Sequence, residues 1–242
     1  MGLFDEPFRE VEDFIKEKQD LKQIRELPLK SILNWSEEAS LILEEESALE
    51  LGHPGQGSLS FLVWSQALKK NQDRLLILGP DLNELKGKKA PFGQIIRVYG
   101  SFPDEYQCYC QLRDAIYQTK LKGLMMRLIP SQQVIWCRVH QTALAQGFSL
   151  SHLGSALIKK IKALSFVESV EVIFITSSKK DLNQLKPAGE EVKRIAGALV
   201  KMVEEKDFDC EACEYWEVCE KVLELKQIKK RLNKKGKRWR LR

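Results

Sequence analysis

The chain has 242 residues, 43% of them hydrophobic and 30% charged, with a formal net charge of +5. That length and apolar content can fill one sizeable core. No stretch approaches the roughly 20 uncharged apolar residues of a membrane span, and Met1-Gly-Leu-Phe-Asp-Glu6 has neither the basic start nor the apolar run of a signal peptide, so a soluble, cytoplasmic protein is expected.

In chain order, Phe8, Val11, Phe14 and Ile15 recur at helical spacing between charged residues and predict a short amphipathic helix within 4–18. Residues 27–51 mix acids with scattered apolar positions and read as a loose lead-in, followed by the turn chemistry of His53-Pro-Gly-Gln-Gly-Ser58. β-type runs then follow at Leu59–Trp64, Leu75–Leu78, Gln94–Tyr99, Val134–Val139 and Val170–Thr176. Helical periodicity occupies Asp104–Thr119, Ser151–Leu164 and Glu190–Glu205. Strands interleaved with helices predict an α+β (α/β-like) fold, a single mixed sheet with flanking helices. The expected division is an N-terminal helix and lead-in over 1–55, the α+β domain over 56–206, a cysteine segment over 207–220 and a basic helical tail over 221–242. In that tail eleven basic residues face one acid, Glu224, so it carries +10 and the preceding 220 residues carry −5.

Three of the six cysteines fall in Cys210-Glu-Ala-Cys213-Glu-Tyr-Trp-Glu-Val-Cys219. In a reducing compartment such clustering favours a ligand set over disulfides. At about 100° per residue Cys219 would point away from Cys210 on one regular helix, so convergence needs a loop. Three thiolates suit an iron–sulfur cluster with one iron open or otherwise ligated, or zinc with a fourth ligand from His53, His140, His152 or a distant cysteine; free thiols in a helix are the plainer alternative. No Ser/His/Asp or Cys/His catalytic constellation stands out among three histidines, so no catalytic residue is assigned.

The succession Leu76-Ile-Leu-Gly-Pro-Asp-Leu82, Pro91-Phe-Gly-Gln-Ile-Ile-Arg-Val-Tyr-Gly100, Val134-Ile-Trp-Cys-Arg-Val139 and Ala143-Leu-Ala-Gln-Gly-Phe148, continuing through Val170–Thr176 to the cysteines, resembles the middle domain of acetyl-CoA synthase, the β subunit of the carbon monoxide dehydrogenase/acetyl-CoA synthase complex. The resemblance spans most of residues 10–219. It implies a coenzyme A platform, with Arg113, Trp136 and Arg138 matching family positions, although Met125 stands where the family carries the tryptophan it associates with coenzyme A. Arginine forks would take the phosphates and the indole would stack on adenine. It also places Cys210 and Cys213 where the first ligands of the nickel–iron–sulfur centre lie, with Cys219 at a shorter spacing than the third. The family's Cys-Gly-Cys for the distal nickel and its first domain have no counterpart here, while Cys108-Tyr-Cys110 reads as two core cysteines.

The expected function is therefore an acetyl-CoA-synthase-like partial or accessory protein of one-carbon metabolism, not catalytic alone. It would bind an iron–sulfur cluster and partner with other subunits of the CO dehydrogenase/acetyl-CoA synthase system. The alternative is a zinc- or cluster-binding protein whose basic tail docks on nucleic acid or an acidic partner.

Overall fold

The computed structural model describes residues 2–30, 41–66, 72–204 and 213–234. Nine strands are described: β1 (Ile24–Glu26), β2 (Ser47–Leu51), β3 (Ser58–Ser65), β4 (Arg74–Leu78), β5 (Lys89–Ala90), β6 (Phe92–Gly100), β7 (Leu124–Ile129), β8 (Val134–His140) and β9 (Val167–Ile175). The described helices are α1 (Asp5–Asp20), α2 (Glu105–Tyr117), α3 (Gln141–Ala145), α4 (Leu150–Lys162), α5 (Lys179–Glu204), α6 (Trp216–Lys221) and α7 (Leu223–Lys234). The class is α+β. The strands divide, however, into two mixed sheets where the sequence reading had one: five strands in the order β1-β4-β9-β6-β3, and four in the order β5-β2-β8-β7.

The larger sheet is covered on both faces. Arg97 of β6 lies 4.2 Å beneath the Phe8 ring of α1, and a Cβ on Gly93 of the same face would meet Leu182 of α5. The other face, which carries the registered row Leu75, Val172 and Ile96, packs under Gly154 of α4. Burial on both faces explains why β6 and β9 read as nearly continuous apolar runs rather than alternating ones. The apolar residues read along α1 are buried, and Phe4 and Phe8 set their rings edge-on to Trp64 and Tyr99.

The smaller sheet shows the other pattern. Along β8, Ile135, Cys137 and Val139 are fully buried while Val134, Trp136, Arg138 and His140 are half-buried. Its inner face joins the larger sheet through Ser58, whose hydroxyl donates to the Ile135 carbonyl at 2.5 Å and accepts the Ile135 N–H at 2.8 Å. Close by, Gly52 has φ +71° and a Cβ there would sit 2.1 Å from the Ile135 oxygen, so only glycine fits.

Helix α5 begins at Lys179, well before the expected start, and runs through Pro187, which lacks the N–H its ladder position would donate. Buried Leu182, Leu185 and Ala188 hold that first part against the core. The basic tail is helical as far as it is described: Leu225 and Ile228 of α7 are buried, and Arg231 places Nη2 3.1 Å from both carboxylate oxygens of Glu105 on α2. Residues 235–242 lie outside the described residues. No described helix is long and apolar enough to cross a membrane.

Candidate functional site

Of the three expected metal ligands, Cys210 lies outside the described residues. Cys213 precedes α6, and its carbonyl accepts the Trp216 N–H at 3.0 Å. Cys219 is inside α6, its own N–H donating to the Tyr215 carbonyl at 3.0 Å. Both residues line one small recess against α5, together with Lys201 and Lys229. None of the described cysteines forms a disulfide. Two cysteines on one recess suit a soft metal, and Lys201 and Lys229 on its wall would offset part of the negative charge of thiolate ligands, although the Lys201 ammonium is already 3.8 Å from Glu214 and that of Lys229 lies 5.3 Å from the Trp216 ring. Among the described residues no three His, Cys, Asp or Glu converge. The histidines considered as a fourth ligand do local work instead. His53 Nδ1 accepts from the Gly55 N–H at 3.2 Å, His140 Nδ1 from Thr142 at 3.0 Å and His152 Nδ1 from Ser149 at 3.1 Å. None of them lines the recess.

Trp136 and Arg138 share the half-buried outer face of the smaller sheet, as period-two alternation requires. The Arg138 guanidinium lies 4.7 Å from the indole ring and that of Arg127, cross-strand from Trp136, lies 5.6 Å from it. Both site residues are tied to Glu50 of β2: the indole Nε1–H donates to Oε1 at 2.9 Å and Arg138 Nε lies 3.4 Å from the same oxygen. Lys89 adds a contact at 3.4 Å to the other oxygen, and Arg138 Nη1 donates to the Ile42 carbonyl at 3.2 Å. Burial alone would raise the Glu50 carboxyl; the Trp136 and Lys89 hydrogen bonds and the Arg138 charge hold it below the ordinary value. Sequence reasoning passed over Glu50. Its signal was an acid inside the apolar stretch Leu49-Glu-Leu51.

Arg113 lies elsewhere. It stands on α2 at the wall of a cavity of about 420 Å³ bounded by α2, α5, the outer strand β3 and the β7–β8 hairpin. Leu128 and Val134 line this cavity from the end of the β7–β8 hairpin, whereas neither Trp136 nor Arg138 lines it, so Arg113 does not share one pocket with that pair. Arg113 Nε is 3.8 Å from Asp114, and its guanidinium lies 5.9 Å from the Tyr109 ring. Lys201 and Tyr215 line both the cavity and the cysteine recess, so the two adjoin. Tyr215 lies close over Gly197 of α5, where a Cβ would be 2.7 Å from its phenol oxygen. Cys108 and Cys110 share helix α2; Cys108 is buried, and burial pushes its thiol pKa up.

Fold and site together define an α+β protein of two packed sheets with a thiol-bearing segment folded back on its last long helix. A family model described as CO dehydrogenase/acetyl-CoA synthase complex beta subunit matches residues 38–181, and the chain belongs to that family. It is 29% identical over 112 residues to acetyl-CoA decarbonylase/synthase complex subunit beta of Methanopyrus kandleri, covering 45% of this chain and 24% of that protein. With subunit beta 1 of the same complex from Methanosarcina acetivorans it shares 24% over 184 residues, 73% of this chain and 39% of the relative. The carbon monoxide dehydrogenase/acetyl-CoA synthase subunit alpha of Moorella thermoacetica is 23% identical over 197 residues, 77% of this chain and 27% of the relative. The chain thus aligns with 24% to 39% of the length of these relatives.

Proposed function

We propose that this chain acts as an acetyl-CoA-synthase-like partial or accessory protein of CO dehydrogenase/acetyl-CoA synthase metabolism, working in the cytoplasm alongside other subunits of that system. Cys210, Cys213 and Cys219 hold an iron–sulfur cluster, which would supply a redox or structural centre at the C-terminal segment. The observation that carries this reading is the pair of thiols, Cys213 and Cys219, on one recess beside Lys201 and Lys229 in a chain of this family. Carbon–carbon bond formation is not assigned to these residues. Joining a methyl to a carbonyl requires adjacent metal positions, and the 242 residues contain no Cys-Gly-Cys to hold a second one.

Coenzyme A belongs to the same reading in a narrower form. Trp136 and Arg138 form one candidate contact for its adenine and phosphates, with Glu50 holding the indole and occupying Arg138 until a phosphate takes it, and Arg113, which lines a cavity those two do not reach, serves a different role. Anaerobic purification followed by iron, acid-labile sulfide and absorption measurements tests the cluster. Iron with sulfide, reduced to a similar extent by serine at each of the three cysteines, is expected. Stoichiometric zinc without sulfide would instead support the zinc-binding alternative, and metal content indifferent to all three replacements would end the metal reading altogether.

A further inference from the structure

We propose that the cavity between α2 and α5 is a binding site for a small organic anion with an apolar body, a medium-chain or aromatic carboxylate, separate from the Trp136–Arg138 face. Its volume of about 420 Å³ lies within the range of small-molecule pockets. The deep wall is apolar, built from Leu62, Ile96, Ile116 and Val192, and would reward a hydrocarbon or ring. The cations Arg113, Lys193 and Lys201 stand along the same cavity.

The acids there are already engaged: Glu204 accepts the Tyr106 hydroxyl at 2.7 Å, and Glu214 is paired with Lys201 at 3.8 Å. Arg113 is held loosely by its sequence neighbour Asp114 at 3.8 Å, so its fork can turn to a ligand carboxylate. A polyanion would lose too much hydration against the apolar wall, and a neutral hydrocarbon would leave the Arg113 fork unmatched, Lys193 and Lys201 being paired with Glu190 and Glu214. One carboxylate on an apolar body satisfies both. The occupant would lie against Tyr215 and Lys201 and so beside the cysteine recess, but its binding does not depend on metal there.

The test uses the full chain as purified. Octanoate and 1-octanol, matched in chain length, are titrated as competitors of the fluorescent probe 8-anilinonaphthalene-1-sulfonate, itself an apolar body with one anionic group. Octanoate is expected to displace the probe at lower concentration than octanol. Arg113→Gln should weaken octanoate about three- to tenfold while leaving octanol unchanged. Val200→Trp, at a half-buried position of the cavity wall, should abolish both with an unaltered circular dichroism spectrum. Equal displacement by octanoate and octanol, or probe binding untouched by Val200→Trp, would overturn the proposal. Because metal content is read separately, loss of the cluster reading and loss of this one remain distinguishable.

Discussion

In the five-stranded sheet, Arg97 and Glu171 are each 1% exposed and meet at 2.6 Å, with Arg74 closing on the same carboxylate at 3.3 Å. In the four-stranded sheet, Arg138 and Glu50 meet at 3.4 Å on a face that water still reaches. The first set sits in registered cross-strand positions under α1, where Phe8 covers the guanidinium. Among the described residues, Arg97 Nε and Nη2 have no hydrogen-bond partner; the guanidinium lies on the Phe8 ring, and Nη2 stands 3.9 Å from Glu12 Oε2. Sealed charges of this kind are committed to the fold, because removing either strips the other of its shortest buried partner. The Arg138–Glu50 pair, with side chains 18% and 10% exposed, stands near enough to water to exchange one partner for a ligand. The difference explains why the Trp136–Arg138 contact lies on the smaller sheet.

The sharpest way to break that comparison is to remove the arginine from each pair. Arg97→Leu should lower stability by about 3–5 kcal/mol, since it strips the buried Glu171 carboxylate of its 2.6 Å partner. Arg138→Leu should cost about 1 kcal/mol. Urea unfolding midpoints measure both, and equal losses would show that the two sheets do not differ in this respect. Next in size is the inner row of the smaller sheet: Ile135→Ala removes a fully buried side chain at the joint between sheets and should cost about 2–4 kcal/mol. A smaller loss there would mean that the Ser58 clasp holds the joint without Ile135. Glu50→Gln keeps an acceptor for the Trp136 indole but removes the charge facing Lys89 and Arg138, and should cost about 1 kcal/mol. The same change should raise or leave unaltered any affinity of that face for phosphate groups, since it frees Arg138. Calorimetric titration with coenzyme A reads this directly, and weakened binding would show that Glu50 positions the arginine instead of competing for it.

Most of the larger sheet was legible because strands buried on both faces leave unbroken apolar runs. The smaller sheet was only half legible. Strand β2 hides in acid-rich sequence because Glu50 faces outward between Leu49 and Leu51, and β7 presents Met125-Met-Arg127, which has neither β-branching nor clean alternation. Pro187 and Gly189 concealed the start of α5, where buried leucines override local preference. The division into two sheets depends on register and on the Ser58–Ile135 clasp, neither of which a periodic pattern encodes. For the site, alternation placed Trp136 and Arg138 together on one face, yet nothing in spacing could reveal that Arg113 lines a cavity those two do not reach. The sharing of Lys201 and Tyr215 between cavity and recess likewise arises from α5 and the cysteine segment folding onto each other.

The smallest effect expected is a pH dependence set by His152, at the start of α4. Its ring stacks on Phe148 at 5.8 Å, and Nδ1 lies 3.1 Å from the Ser149 nitrogen and 2.9 Å from its hydroxyl. Burial first, and then the Lys30 charge, hold its pKa below the ordinary histidine value of 6.5. Above that value both folded and unfolded chains carry a neutral ring, so the shift contributes nothing. As pH falls through 6.5 the unfolded chain takes up a proton that the folded one resists, and stability must decline until the folded ring is itself protonated. Glu50, whose pKa is depressed, contributes stability above its unfolded value of 4.5 that is lost only as pH falls below it, so the two windows separate. Urea unfolding at pH 7.5, 6.5 and 5.5 should therefore show a modest fall that His152→Gln flattens, glutamine keeping a side-chain acceptor for the Ser149 N–H at that position. An identical slope in the variant would assign the decline to other groups and leave His152 with a purely capping role.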